Sequence, residues 1–359
     1  MRTGIANLPL HGGKAPPWLF NRMKKLAREI TCIIISEYGQ EEFLKRLSDP
    51  FWFQSFGCVL GFDWHSSGVT TTVGGALKEG LKGLEKEIGL VVAGGKGKTS
   101  RKTPEEITLW GDRFSLEASL VSNLVYASRI SAKVDTSCVQ DGFQIYHHNF
   151  IFTSKGDWAV IQQGMNPNLS AARRYHWLSN ELKDFVEEPH KAICTEKKSR
   201  TLNLSAKLSR ETRDLSVEIV KEDSSGLLED LRKLEALDLP KTHPIYQENF
   251  DLKRLERIIN KIKEREPEDF ERMLGIKGVG PKTILALALI SELVYGTKPS
   301  WKDPARYSFA HGGKDGYPYP VQRETYDESI EILRNAVNRA KIERSEKIKS
   351  LKALSSFYR

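Results

Sequence analysis

Three of the eight histidines, His147, His148 and His176, fall within one segment that also holds Asp135, Asp141, the pair Gln162-Gln163 and the pair Arg173-Arg174. Imidazole, carboxamide and carboxylate suit a divalent cation that activates water against a phosphodiester. Asp141, His147 and His148 are the expected ligands of such a metal, Mg or Mn. Asp135, Gln163 and His176 join them as catalytic candidates, with His176 holding or protonating a phosphate oxygen. Arg173 and Arg174 suit a phosphate clamp, since a guanidinium offers two parallel hydrogen bonds. His65 and the basic run Lys96-Gly97-Lys98-Thr99-Ser100-Arg101-Lys102 would complete a groove, with Lys96 and Lys98 contacting phosphate. The competing reading is an internal network, each imidazole held by a backbone carbonyl or a glutamine amide.

These side chains need a scaffold. Phe143–Phe152 and Trp158–Met165 are rich in aromatic and β-branched residues and flank Thr153-Ser154-Lys155-Gly156-Asp157, the pattern of a β-hairpin. Pairing centred on Lys155 sets His148 opposite Gln162 and His147 opposite Gln163, on opposite faces of the sheet. Polar groups in the middle of such apolar strands are costly to bury without partners. Pro16-Pro17 should open a helix whose apolar stripe runs from Trp18 through Met23, Leu26 and Ile30 to Ile34. Thr103-Pro104-Glu105-Glu106 reads as a capping box that starts another.

Between about 190 and 245 the composition shifts to Lys, Arg, Glu, Ser and Leu, a charged and partly helical connector. The expected organisation is an α+β domain over 1–190, this connector over 191–245, and an all-helical domain over 246–359. Within the last, Phe270–Tyr295 contains Gly278-Val279-Gly280 between apolar helical runs, with Lys277 and Lys282 at its lips. It resembles the helix-hairpin-helix DNA-binding motif. Glycines let the chain turn tightly while the valine plugs the gap, and amides at the next helix start favour a phosphate oxygen. Such contacts grip the backbone of single-stranded or duplex DNA without reading sequence, and RNA stays within the same reading. Gly97-Lys98-Thr99 imitates the end of a P-loop, but Val92 stands where its first glycine belongs, so no nucleotide cofactor is expected.

The chain has 359 residues, 39% hydrophobic and 28% charged, which excludes a disordered or collagen-like chain and suggests two domains. Its longest apolar run, Ile284 to Ile290, is too short for a bilayer, and no secretory pattern follows Met1, so a cytoplasmic address without membrane association is expected. Cys32, Cys58, Cys138 and Cys194 fit neither a zinc-knuckle spacing nor a disulfide framework and read as reduced core thiols. The net charge of +8 leans toward a polyanionic partner, and Glu331–Arg359 carries eight Lys or Arg against three Glu. Nothing here fixes an oligomeric state.

Arg2–Gly13, Gly61-Phe62-Asp63-Trp64-His65-Ser66-Ser67-Gly68, Gly94–Pro104 and Ala310–Gly316 together resemble the archaeal and bacterial domain-of-unknown-function family 763, over nearly the whole chain. That resemblance implies that the two halves belong together and carries no chemistry. A narrower similarity is to helix-hairpin-helix base-excision glycosylases, which implies Lys282 as a sugar-attacking amine and Asp303 as its assistant. The leading expectation is a metal-dependent nuclease of DNA repair or recombination. The alternatives are a glycosylase or lyase and a non-enzymatic DNA-binding scaffold.

Overall fold

The computed structural model describes residues 15–62, 67–195, 197–222, 226–227, 229–230, 232, 250–305 and 323–357. His65, both His-Gly-Gly-Lys segments and the Leu239–Pro244 junction lie outside these. The fold is α+β: helices lie on both faces of one antiparallel sheet.

Pro17 opens α1 (Pro17–Ser48), which buries Met23, Leu26, Ala27, Ile30 and Ile34 along one stripe and breaks its helical path at Gly39 (φ 86°). After α2 (Pro50–Val59), α3 (Gly68–Leu81) and the short α4 (Glu85–Ile88) come β1 (Leu90–Lys96), a 3-10 turn over Gly97–Lys102, α5 (Thr103–Arg113) and α6 (Ala118–Ser137). The strands β2 (Val139–Gln140), β3 (Gln144–Thr153), β4 (Trp158–Asn166), β5 (Ala171–Leu178), β6 (Ala192–Cys194) and β7 (Leu202–Asn203) follow. The main sheet runs β1-β3-β4-β5-β6, and β2 pairs with β7. The expected register is the observed one: His148 lies opposite Gln162 and His147 opposite Gln163.

Alternation along these strands divides the core in two. Ile151, Ala159, Ile161 and Val92 pack under α1–α3, while Phe150, Phe152, Val160 and Val91 pack under α5 and α6. An antiparallel sheet commonly leaves one face to solvent. This one is covered on both.

The 191–245 stretch supplies core elements over its described residues. Strand β6 closes one edge of the sheet, and α7 (Arg210–Glu222) buries Val217, Ile219 and Val220 in the cluster under α6. That cluster continues into α8 (Leu252–Arg265), α9 (Phe270–Gly275) and α10 (Pro281–Leu293). The last helices, α11 (Arg323–Arg339) and α12 (Arg344–Phe357), return to the other face, where Leu333, Val337 and Leu354 join the core around α1 and α2. Arg334, Arg339, Lys341 and Lys349 are exposed, so much of the basic tail is the solvated side of amphipathic helices. No described helix is long and apolar enough to cross a membrane, and the four cysteines are free thiols.

One local expectation changes. Thr103 is itself helical and its hydroxyl donates to Ser100 O, so it does not cap, and Glu106 does not complete a capping box. Instead Glu106 accepts from Gly94 N (2.7 Å) and from Lys78 Nζ, which also donates to Gly94 O (2.8 Å). Those bonds fix the end of β1 just before Lys96. Gly94 has φ +87°, and a Cβ there would meet His148 O at 2.2 Å and Thr103 Oγ1 at 2.6 Å. Gly94→Ala should therefore destabilise by about 3 kcal/mol in urea unfolding. Gly97→Ala, at φ +60° with nothing within 4 Å of its Cβ, should cost about 1 kcal/mol. Equal losses would contradict this packing.

Candidate functional site

The strand pleat sends the predicted site residues to two sides of the sheet. Under α6, His148 Nδ1 meets Gln162 Oε1 (2.7 Å) and Nε2 meets Ser128 Oγ (3.0 Å). Gln162 Nε2 donates to Ser131 O (3.2 Å) and to Asp135, whose carboxylate also accepts from Trp177 Nε1 (3.0 Å) and contacts His190 Nε2. Ser128, Ser131 and Asp135 project from one face of α6 onto this part of the sheet. For these residues the internal network is what the structure contains.

Nearby, Asp141 accepts from Arg173 Nη1 (2.8 Å), Tyr175 OH (2.7 Å) and Phe143 N (2.8 Å). Arg173, buried over the Phe143 ring, also donates from Nη2 to Asp303 Oδ2 (2.6 Å). Asp303 further accepts from Ser199 N (2.9 Å) and Ala305 N (2.9 Å). Arg173 is thus a structural cation joining two carboxylates that stand far apart in sequence.

The other face carries a different arrangement. Lys96 pairs with His147, His147 with Gln163, Gln163 with Arg174 and Arg174 with Cys194, so one cross-strand row spans all five strands. Thr70 on α3 links it from above: its hydroxyl donates to Gln163 Oε1 and accepts from Arg174 Nε (2.8 Å). Gln163 Nε2 reaches Ser67 O (2.8 Å) and Tyr146 OH. Arg174 lies 4.6 Å over the Phe53 ring and donates to Gln54 Oε1 (3.2 Å). His147 is 1% exposed, and neither of its ring nitrogens has a hydrogen-bond partner among the described residues. His176 sits two residues beyond Arg174 on the same face, edge-on to Phe53 at 5.7 Å.

Two expected phosphate contacts, Lys96 and Arg174, and two expected catalytic residues, His147 and Gln163, therefore share one row, with Lys98 exposed on the adjoining turn. The expected metal ligands do not. His147 and His148 lie on opposite faces, and Asp141 is held by Arg173 and Tyr175. Among the described residues no three of His, Cys, Asp and Glu converge on a metal position. Thr70, Tyr146 and His190 were not singled out from sequence, because a threonine in a helix or a tyrosine in a strand carries no signal until its neighbours are placed.

A tight turn joins α9 to α10. Val279 is buried, Gly278 adopts φ +109°, and Lys277, Gly278 and Lys282 are exposed. Lys133 on α6 donates its ammonium to Leu274 O (3.0 Å), Ile276 O (3.2 Å) and Val279 O. Lys261 bonds Lys277 O, and Gln140 bonds Pro281 O (3.0 Å). The carbonyl side of the turn is thus tied to the body of the protein. Lys282 is exposed, whereas Asp303 is bound to Arg173 and two amides, so Asp303 is not free to assist an attacking amine.

Burial shifts the histidines. The His147 imidazole is driven down to about 3, with His148, Lys96 and Arg174 adding repulsion. Burial also lowers His148, against the Gln162 bond, and takes His176 well below its ordinary value, with Arg174 reinforcing the effect. Burial brings the Arg174 guanidinium down to about 10, still charged at neutrality. The His147 and His176 imidazoles are neutral in the folded state, while the unfolded chain protonates them near 6.5. As pH falls below that value, unfolding takes up protons that the folded protein refuses, and stability drops. At pH 5 calorimetric unfolding should take up about two protons per chain on His147 and His176. A melting temperature unchanged between pH 7 and pH 5 would contradict two buried neutral histidines.

Against known proteins, no curated protein and no solved structure matches the chain. A family model described as "Protein of unknown function (DUF763)" matches residues 4–321. That span takes in the sheet, both polar arrangements and the hairpin, and the chain belongs to this family.

Proposed function

We propose that this protein binds DNA through its sugar-phosphate backbone, without sequence preference, using the hairpin between α9 and α10. The observation that carries this reading is an exposed turn, with Gly278 at φ +109° and Lys277 and Lys282 at its lips. Its carbonyls are drawn inward by Lys133, Lys261 and Gln140. The start of α10 adds the positive end of a helix dipole, which favours a phosphate oxygen. The net charge of +8 and the exposed Lys96, Lys98, Arg101 and Lys102 support a polyanionic partner.

Binding without cleavage is the expectation this geometry favours. Asp135, Asp141 and Asp303 already accept bonds from the protein's own donors, which supports neither a carboxylate-held metal nor a lysine-aspartate lyase.

Fluorescence anisotropy with labelled single-stranded and duplex oligonucleotides tests the reading. Affinity should fall steeply with salt, and Lys277→Glu/Lys282→Glu should weaken it at least about tenfold and lower the salt slope by about two. Lys133→Met, which removes the ammonium from three carbonyls, should weaken binding and lower the melting temperature together. Affinity unchanged in the double charge reversal would refute the hairpin as the gripping element.

A further inference from the structure

Apart from Lys96, whose charge also supports a polyanionic partner, the row Lys96–His147–Gln163–Arg174 has no part in the hairpin reading. The sheet register sets its four members side by side on one face, at the spacing where cross-strand neighbours interact. His147, Gln163 and Arg174 are each 1% exposed or less, while Lys96 at the outer end is exposed, with its ammonium 5.9 Å from the Tyr146 ring centre. The row is deep at one end and open at the other.

Gln163 is satisfied by Thr70, Ser67 and Tyr146, so it is fixed in place. His147 is not. It is buried beside charged Lys96 and Arg174 with both nitrogens unpartnered among the described residues, a condition that native interiors avoid. A neutral imidazole always carries one N–H, and here that donor has no acceptor among the described residues. Helix α3 approaches the ring with Gly74, where a Cβ would lie 3.3 Å from His147 Nε2. A cation brought to this ring would face Lys96 and Arg174, so the missing partner is a hydrogen-bond acceptor that carries negative charge. Guanidinium, ammonium and imidazole N–H along one line match the several oxygens of a tetrahedral oxyanion better than the two of a carboxylate.

We propose that Lys96, His147 and Arg174, held in register by Gln163 and Thr70, form a receptor for a phosphate group, either free phosphate or the terminal monoester of an oligonucleotide. Lys96 draws the anion to the mouth, Arg174 supplies the buried charge, and His147 donates the hydrogen bond it now lacks. The occupied site links the sheet to α3.

Isothermal titration at constant ionic strength, with chloride as the competing anion, tests this in the full-length chain. Inorganic phosphate is one titrant. The others are an oligonucleotide with a 5′-phosphate and the same oligonucleotide without it, both measured in the Lys277→Glu/Lys282→Glu background to remove hairpin binding. Saturable binding of inorganic phosphate at one site per chain identifies free phosphate as a ligand. A preference of at least about tenfold for the phosphorylated oligonucleotide, without binding of inorganic phosphate, identifies the terminal monoester. In either case His147→Leu should abolish the binding, and Lys96→Ala, an exposed change that leaves the core intact, should weaken it about fivefold. The proposal is overturned if inorganic phosphate does not bind saturably and the phosphorylated oligonucleotide binds no better than the unphosphorylated one, or if His147→Leu binds as the parent does. Because the DNA reading is tested by the hairpin variants alone, either reading can fail without the other.

Discussion

A sheet covered on both faces gives the polar side chains at its centre no access to bulk water, so each of those must find a partner inside the protein or on something the protein binds. That constraint shapes the centre of this molecule. Two histidines and two glutamines stand side by side in β3 and β4, and the pleat sends one of each to either face. Under α6 they enter a closed set of bonds with Ser128, Ser131, Asp135 and Trp177. Under α3 the glutamine is satisfied and the histidine is not. The same sequence doublet thus yields a structural network on one side and an open valence on the other.

Helix α6 ties the sheet to the hairpin. Ser128, Ser131 and Asp135 recur at helical spacing and face the strands, while Lys133 lies on the other side and closes over three carbonyls of the turn. The orientation of the proposed DNA-gripping turn is therefore set by the helix that completes the buried network. Arg173 makes a second tie, from β5 to Asp303 beyond the hairpin helices. These links, together with one continuous apolar cluster, fit a chain whose amino- and carboxy-terminal parts share a core.

Much of this was legible where local rules decide. The five-residue turn Thr153–Asp157 fixed the β3-β4 register, and with it the faces of His147, His148, Gln162 and Gln163. Gly278-Val279-Gly280 foretold a tight turn with a buried valine. What failed was the grouping of residues by nearness in sequence. Asp141, His147 and His148 lie close along the chain, yet the pleat separates the histidines and a distant strand brings Arg173 and Tyr175 to the aspartate. Lys133 could not be foreseen either, since its acceptors are backbone carbonyls more than a hundred positions away. Glu106 looked like a capping residue because the local pattern fits, but tertiary contacts with Gly94 and Lys78 prevailed.

The claim beneath all of this is that the two faces of the sheet differ in kind, and urea unfolding of His148→Leu beside His147→Leu tests it most directly. His148→Leu strips a partner from both Gln162 and Ser128 and should cost about 2 kcal/mol or more, because buried groups are left unpaired. His147→Leu removes a ring with no partner among the described residues and should leave stability within about 1 kcal/mol of the parent. A loss at His147 as large as that at His148 would contradict the account, because it would mean that His147 is held by the protein as firmly as its neighbour.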